Sequence, residues 1–276
     1  MLLFFIVSRG DFLSWVYENY KKIGEQKPLV HHITNWVTIY DCANITRSFK
    51  ALPVMAHAPE EVEQMTGIAS SLVLNIGTLT TPLIDAMIIA GKKANEKGIP
   101  VVLDAVGAGA TDMRTEKCKE ILENVNIDII KGNSAEIGVL AGVEAEVRGV
   151  EAISVKGNPE ELVKRLAEQT NSTVVITGKV DYVSNGKETF AVENGNEMMG
   201  SIVGTGCMSA SVIGSFSAVE KDYVKAAAAA LSCFGIAGEI AAEKSFGPGT
   251  FKINFYDAVY NLSQEQIESQ SRIKSL

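Results

Sequence analysis

The chain has 276 residues, 46% of them hydrophobic and 21% charged, with a formal net charge of −8. That length and apolar content suffice to bury a large core, and the composition excludes an intrinsically disordered chain. No dense Lys/Arg cluster occurs, which argues against a surface built for nucleic acid or an anionic membrane.

The first seven residues are apolar but run at once into Ser8-Arg9-Gly10-Asp11. They have no basic leader and are too short to cross a bilayer, so a terminal strand or docked tail is expected there, not a secretory signal. Strand-length, β-branched apolar runs then recur at 29–33, 71–76, 100–103, 127–130 and 173–176. They are continuous, as parallel strands covered on both faces are. Helical patterns lie between them at 37–49, 59–66, 82–97, 115–124 and 159–169. Pro82 and Pro159 follow capping residues in two of these, and Gly98 suits a C-terminal cap. Asn185-Gly186 between 181–184 and 188–192 signals a hairpin. Two very apolar helices are expected at 206–219 and 223–244, the second buried and too interrupted to span a membrane. A final helix is expected over 255–271. The pattern predicts an α/β chain folded as a three-layer αβα sandwich with a mostly parallel central sheet. An N-terminal extension and first helix (1–27) precede a single domain (28–276).

Ligands of such sheets collect at the carboxyl ends of the strands. Four segments fall there. Asp104-Ala105-Val106-Gly107-Ala108-Gly109-Ala110 sets an acid before Gly-rich backbone, which suits a metal–phosphate region or a tight strand-to-helix turn with Asp104 as cap. In Lys131-Gly132-Asn133-Ser134-Ala135-Glu136, Asn133 and Glu136 have the spacing of a capping box, while Lys131 can meet a phosphate and Glu136 a metal. Thr177-Gly178 ends another strand. Gly204-Thr205-Gly206-Cys207 opens an apolar helix whose first N–H groups would stabilise an anion and lower the pKa of the Cys207 thiol.

Competing motifs are missing. There is no P-loop, no Gly-x-Ser-x-Gly elbow and no complete Gly-x-Gly-x-x-Gly, since Asp112 stands at the last position. His31 and His32 are adjacent on a strand and point to opposite faces, so a shared metal is disfavoured. The four cysteines, Cys42, Cys118, Cys207 and Cys233, are far apart. They read as reduced thiols of a cytoplasmic protein, with no disulfide frame or zinc site.

The order of motifs resembles the hydroxyethylthiazole kinase family. His32-Ile33-Thr34-Asn35-Trp36-Val37-Thr38, Asp41-Cys42-Ala43-Asn44 and Pro53-Val54-Met55-Ala56 match its first half. Asn75-Ile76-Gly77-Thr78-Leu79, the Asp104, Lys131, Thr177 and Gly204 segments, and Gly247-Pro248-Gly249-Thr250-Phe251 continue it, over about 28–262. The resemblance implies a ribokinase-like fold, a homotrimer with sites near subunit boundaries, and transfer of the ATP γ-phosphate to the alcohol of 4-methyl-5-(2-hydroxyethyl)thiazole, a salvage step toward thiamine. It implies thiazole contacts from Met55, Gly204 and Asn35, ATP contacts from Lys131 and Thr177, and a Mg²⁺ region at Asp104 and Glu136. Cys207 stands where wider ribokinase-like enzymes carry an Asp as base. Two positions depart from the family pattern: Ala105 where a proline is frequent, and Lys131 where an arginine is common. The alternatives are a ribokinase-like kinase for another alcohol, a non-catalytic nucleotide binder, and a thiol hydrolase using Cys207.

Overall fold

The computed structural model describes residues 9–143, 145–148, 151–155 and 157–276, with side chains from 14 to 143 and from 157 onward. The apolar start, expected as a strand or docked tail, lies outside the described residues.

In chain order the strands begin with β1 (Leu29–Ile33), β2 (Leu52–Val54), β3 (Ser71–Asn75), β4 (Val101–Asp104) and β5 (Ile129–Asn133). A separate hairpin, β6 (Ala145–Arg148) and β7 (Glu151–Val155), precedes β8 (Thr173–Thr177), β9 (Asp181–Ser184), β10 (Thr189–Val192) and β11 (Ile273–Ser275). Nine of them form one sheet in the order β11-β10-β9-β8-β5-β4-β3-β1-β2. From β2 to β8 every pairing is parallel, and β9, β10 and β11 add antiparallel strands at the other edge. The short strands β2 and β11 and the β6–β7 hairpin were not anticipated. β2 contains Pro53, which an edge strand tolerates because one side of its backbone needs no ladder donor.

Helices α1 (Arg9–Gln26), α2 (Ile39–Ser48), α3 (Val62–Ile68), α4 (Thr81–Lys97), α5 (Asp112–Asn124), α6 (Ser134–Leu140) and α7 (Pro159–Thr170) accompany the parallel half. The chain then continues through α8 (Thr205–Ser217), α9 (Tyr223–Glu243), α10 (Pro248–Tyr260) and α11 (Gln264–Gln270). Their ends follow local chemistry. Thr80 accepts from the Leu83 N–H beside Pro82, Asn158 accepts from Glu160 beside Pro159, and Gly98 closes α4 with φ +70°. The single last helix expected over 255–271 is two helices. Ser263 and Gln266 form a capping box, each side chain bonding the other's backbone N–H at 3.2 and 3.0 Å, and this restarts the chain as α11.

The sheet separates two cores, which explains the continuous apolar strands. Val30, Val73, Val102, Ile129 and Val175 face α8, α9 and the C-terminal helices. Leu72, Leu74, Leu103, Ile130, Val174 and Ile176 face the layer of α4, α5 and α7. The three-layer αβα sandwich is thus present. α9 is long and apolar enough to cross a membrane, yet 83% of its apolar window is buried inside the fold, as expected of a core helix.

Candidate active site

The carboxyl ends of six neighbouring parallel strands carry a row of polar side chains in spatial order. Met55 follows β2 and Asn35 follows β1, while Asn75 ends β3, Asp104 ends β4, Lys131 lies in β5 and Thr177 ends β8. Parallel register pairs Asn75 with Asp104 and Asp104 with Lys131. Side chains two apart on a strand share a face. Since Val73, Val102 and Ile129 point toward α8, Asn75, Asp104 and Lys131 do so as well. His31 and His32 obey the same rule in the opposite sense. His31 bonds Thr66 of α3 at 2.9 Å, while His32 turns toward Thr46 of α2, so they share no site.

Hydrogen bonds join the row into one network. Lys131 Nζ lies 3.1 Å from Asp104 Oδ1, and Asn75 Nδ2 donates to Asp104 Oδ2 at 2.6 Å. Asn35 Nδ2 donates to Asn75 Oδ1 at 2.9 Å and to Cys207 Sγ at 3.4 Å. The orientation of both amides follows from their partners. An ionised carboxylate only accepts, so Asn75 must turn its NH₂ to Asp104 and its oxygen to Asn35. At the other end Asn35 Oδ1 is held by the N–H groups of Val37 and Thr38 at 3.1 and 3.0 Å.

The amino end of α8 closes over this network. Its N-cap is Gly204, with φ +97° and no side-chain cap, so the first N–H groups of the helix have no partner within it. A Cβ on Gly204 would stand 2.5 Å from Thr38 Cγ2, and one on Gly206 only 3.3 Å from Lys131 Nζ. Glycine therefore brings the helix backbone down onto a buried ammonium, and the two together make an anion site.

Electrostatics at this site are governed by burial. Burial raises the pKa of Asp104 against the pull of Lys131. Burial would lower that of Lys131, but the charge of Asp104 outweighs this and holds the ammonium ionised. Burial, then the charge of Asp104, push the Cys207 thiol up, so the resting sulfur keeps its proton. The expectation that the helix terminus would lower this pKa fails because desolvation and a nearby carboxylate act against it.

Glu136 is buried beside the row and fulfils its capping-box reading. Its Oε2 accepts from Asn133 N at 2.7 Å and its Oε1 from Gly107 N at 2.6 Å, tying the Gly-rich loop after β4 to the start of α6. Burial lifts its pKa to about 7. Among the described residues no three or more His, Cys, Asp or Glu side chains cluster as a metal cage. A Mg²⁺ ion needs none, since it keeps waters and substrate phosphates and takes one or two carboxylates. The hard oxygens of Asp104 and Glu136, each with lone pairs beyond those already bonded, fit that demand.

Ala105 donates its N–H to Lys131 O at 2.9 Å, a bond that a proline at 105 would lack. The sequence assigned no site role to three further residues. Asn75 is a polar residue closing an apolar run, the signal that singled out Asp104. Arg114 reaches back from α5 to the carbonyls of Ile76, Val106 and Gly77 at 3.1, 3.0 and 2.8 Å, bracing the loops after β3 and β4. Asp181, buried at the start of β9, accepts from Gly178 N at 2.9 Å, and burial raises it to about 7.

A cleft of ≈ 710 Å³ opens on the β8 side of the α8 terminus. Thr177, Gly178 and Asp181 form its floor, Thr205 and Gly206 its inner end, Leu231 and Phe234 of α9 one side, and residues 193–197 with Met199 and Gly200 its outer wall. Met55 and Asn35 stand at the other end of the row, next to the exposed side chains of Trp36, Val37 and Tyr40.

Comparison with known proteins identifies the family. The profile of the Hydroxyethylthiazole kinase family matches residues 20–265. The chain is 60% identical to the hydroxyethylthiazole kinase of Methanosarcina mazei over 93% of this chain and 98% of that one. The solved structure of the hydroxyethylthiazole kinase protein from Pyrococcus horikoshii superposes with a TM-score of 0.87 at 41% identity, covering 95% of this chain and 99% of that one. A ribokinase-like superfamily protein of Enterococcus faecalis shares the fold, with a TM-score of 0.63 at 14% identity, over 94% of this chain and 98% of its own. With a ribokinase-like sandwich, an ordered row of polar strand ends and this degree of kinship, the chain belongs to the hydroxyethylthiazole kinase family.

Proposed function

We propose that this chain transfers the γ-phosphoryl group of ATP to the primary alcohol of 4-methyl-5-(2-hydroxyethyl)thiazole, with the α8 terminus as the place of transfer. The observation that carries this reading is the uncapped helix terminus seated on Lys131, between an open cleft on one side and the Asn35–Met55 edge on the other. ATP lies in the cleft, its base against Leu231 and Phe234 and its phosphates toward Thr177 and Lys131. Cleft volumes of roughly 300–1,000 Å³ suit ligands of that size. The thiazole alcohol approaches from Met55, Asn35 and Gly204.

The alcohol oxygen forms a bond to the γ-phosphorus while the bond to the β-phosphate oxygen breaks; ADP leaves, and the hydroxyl proton passes late to a phosphoryl oxygen or to water. Negative charge on the equatorial oxygens meets the N–H groups of Thr205, Gly206 and Cys207 and the ammonium of Lys131. Asp104 and Glu136 would hold Mg²⁺, which when bound neutralises phosphate charge. A loose transition state asks more for alignment than for a strong base. A Cys207 that keeps its proton at rest is compatible with this, as a polar neighbour of the reacting hydroxyl held in place by Asn35.

The enzyme works in the reducing cytoplasm, where its four free cysteines stay thiols. It assembles as a homotrimer that covers the apolar edge of Trp36, Val37, Tyr40 and Val203 beside the alcohol site. The test is phosphate transfer from ATP to a panel of hydroxyethyl heterocycles, pyrimidine alcohols and sugars, with and without Mg²⁺. Turnover confined to the thiazole alcohol and dependent on Mg²⁺ is expected. No turnover of any alcohol would refute the kinase reading.

A further inference from the structure

The outer wall of the cleft is a segment outside the sheet and the long helices, seated on the core through Met198 and Met199. It runs from Glu193 through the 3₁₀ turn Glu197–Ser201, none of whose residues is buried, and leads directly into the α8 terminus, where Thr205 Oγ1 donates to Met199 O at 2.7 Å. Its first stretch, 193–195, is fixed from behind. Glu239 of α9 accepts from Gly195 N at 2.6 Å through Oε1. The same carboxylate receives both terminal nitrogens of the Arg272 guanidinium. Arg272 in turn donates to Glu193 O at 2.8 Å through Nη2 and to Asn194 Oδ1 at 2.8 Å through its backbone N–H. Asn194 also accepts from Ser232 Oγ at 2.9 Å and donates to Gln270 O at 2.9 Å. The helix approaches so closely that a Cβ on Gly235 would fall 2.5 Å from the Asn194 backbone.

Two features set this cluster apart from an ordinary surface ion pair. The carboxylate and the guanidinium come from α9 and from the last residues of the chain, and meet around the backbone of a third segment. Neither Glu239 nor Arg272 lines the cleft, yet Glu193, Asn194 and Gly195, which they hold, do. A partly exposed pair of this kind adds little to global stability. A bidentate guanidinium is, however, well suited to fixing geometry.

We infer that Glu239 and Arg272 are positioning residues for the nucleotide: they hold the 193–195 wall of the cleft in its binding shape. This rests on the reading of the cleft as the ATP site. Preorganisation of this kind raises affinity by removing the ordering step from binding. The acceptor alcohol, at the opposite end of the row, does not depend on it.

The test uses the full-length enzyme and two readouts. Steady-state kinetics of Arg272→Ala, Arg272→Lys and Glu239→Gln are compared for both substrates, and binding of a non-hydrolysable ATP analogue is measured by calorimetry without the alcohol. The expected result is a rise of about tenfold in KM for ATP and in the analogue's Kd for Arg272→Ala, with KM for the alcohol and kcat within about twofold. Arg272→Lys, which keeps the charge without the fork, and Glu239→Gln, which keeps one acceptor oxygen without the charge, fall between this and wild type. They also supply the answer should Arg272→Ala fail to fold. Equal changes in both KM values, a fall in kcat alone, or an unchanged Kd would overturn the inference. Gly200→Trp separates this from failure of the cleft reading, since a side chain on Gly200 meets nothing within 4 Å and would project from the wall. If Gly200→Trp abolishes analogue binding while the Arg272 and Glu239 variants leave it intact, the clamp is refuted and the cleft stands. If Gly200→Trp leaves binding unchanged, the cleft reading falls and the inference with it.

Discussion

Asn35 presents its amide to the sulfur of Cys207 at 3.4 Å while its oxygen is locked by two backbone N–H groups, so the sulfur faces a fixed donor. A serine hydroxyl at 207 can accept the same bond. If the helix backbone and Lys131 provide most of the stabilisation, Cys207→Ser retains measurable kinase activity. General acid–base assistance is worth roughly 10²–10⁴-fold at most sites, and the expected loss here is at or below its lower end. Complete loss of turnover in a variant with wild-type circular dichroism would contradict this.

The two glycines of the turn separate folding from chemistry. Gly204→Ala meets Thr38 Cγ2 at 2.5 Å in a left-handed backbone, and strain of this kind amounts to about 1–3 kcal/mol. A lower unfolding midpoint in urea is expected, together with lost activity. Gly206→Ala lies within α8, where alanine favours the helix over glycine by about 1 kcal/mol. Its methyl group, 3.3 Å from Lys131 Nζ, intrudes on the anion site. Stability equal to or above wild type, with kcat/KM for ATP reduced about 10²-fold, is the expected result; unchanged kcat/KM would remove Lys131 and this turn from the phosphate path.

Lys131 and Asp104 are buried together, and breaking such a pair from one side typically costs about 3–5 kcal/mol because the other charge is left alone. Lys131→Met should therefore destabilise the fold strongly. Adding Asp104→Asn removes the orphaned charge and keeps an acceptor for Asn75, so the double variant should regain more than half of the loss while remaining inactive. Additive destabilisation in a denaturation cycle would show that the two charges do not depend on each other.

Asp181 gives a pH signature. Its folded pKa of about 7 lies above the ordinary value of 3.8, so the folded state binds the proton more tightly than the unfolded chain. The stabilisation is complete below pH 3.8 and is lost as pH rises through about 7. Asp181→Asn keeps the bond from Gly178 N but does not titrate. The stability of wild type relative to this variant should fall between those limits, by up to about 1.4 kcal/mol per pH unit, and be flat above pH 8. A difference that rises with pH would reverse the sign of the argument.

The parallel half of the fold was legible because burial on both faces writes strands as continuous apolar runs. The boundaries of β1 were read to the residue, and β8 and the β9–β10 hairpin nearly so. β11 was not legible: three residues, two of them exposed, are held by pairing with β10 and carry little pattern of their own. The restart of the chain at Ser263 was readable in principle from Ser263-x-x-Gln266, but apolar residues on both sides suggested one helix. At the site, Asp104, Lys131 and Gly204 announced themselves as polar or glycine residues at strand and helix ends. Asn75 carried the same mark and opens one of the quoted motifs, but its part as the link between Asn35 and Asp104 depends on the pairing of three strands, which local spacing does not show. Glu239 and Arg272 could not be found this way, because their importance arises from a meeting of distant segments that no local spacing records.

The row from Asn35 to Thr177 is spaced by the sheet itself. Four inter-strand steps separate β1 from β8, about 19 Å at the usual strand separation. The span between the two ends of the row is thus ruled by backbone hydrogen bonding and is insensitive to which side chains occupy them. If the proposed assignment of the two ends holds, loops after β1 and β2 can be exchanged to admit a different alcohol without moving the phosphate. A one-residue slip of β4 would instead send Asp104 to the opposite face and erase the scale at its midpoint.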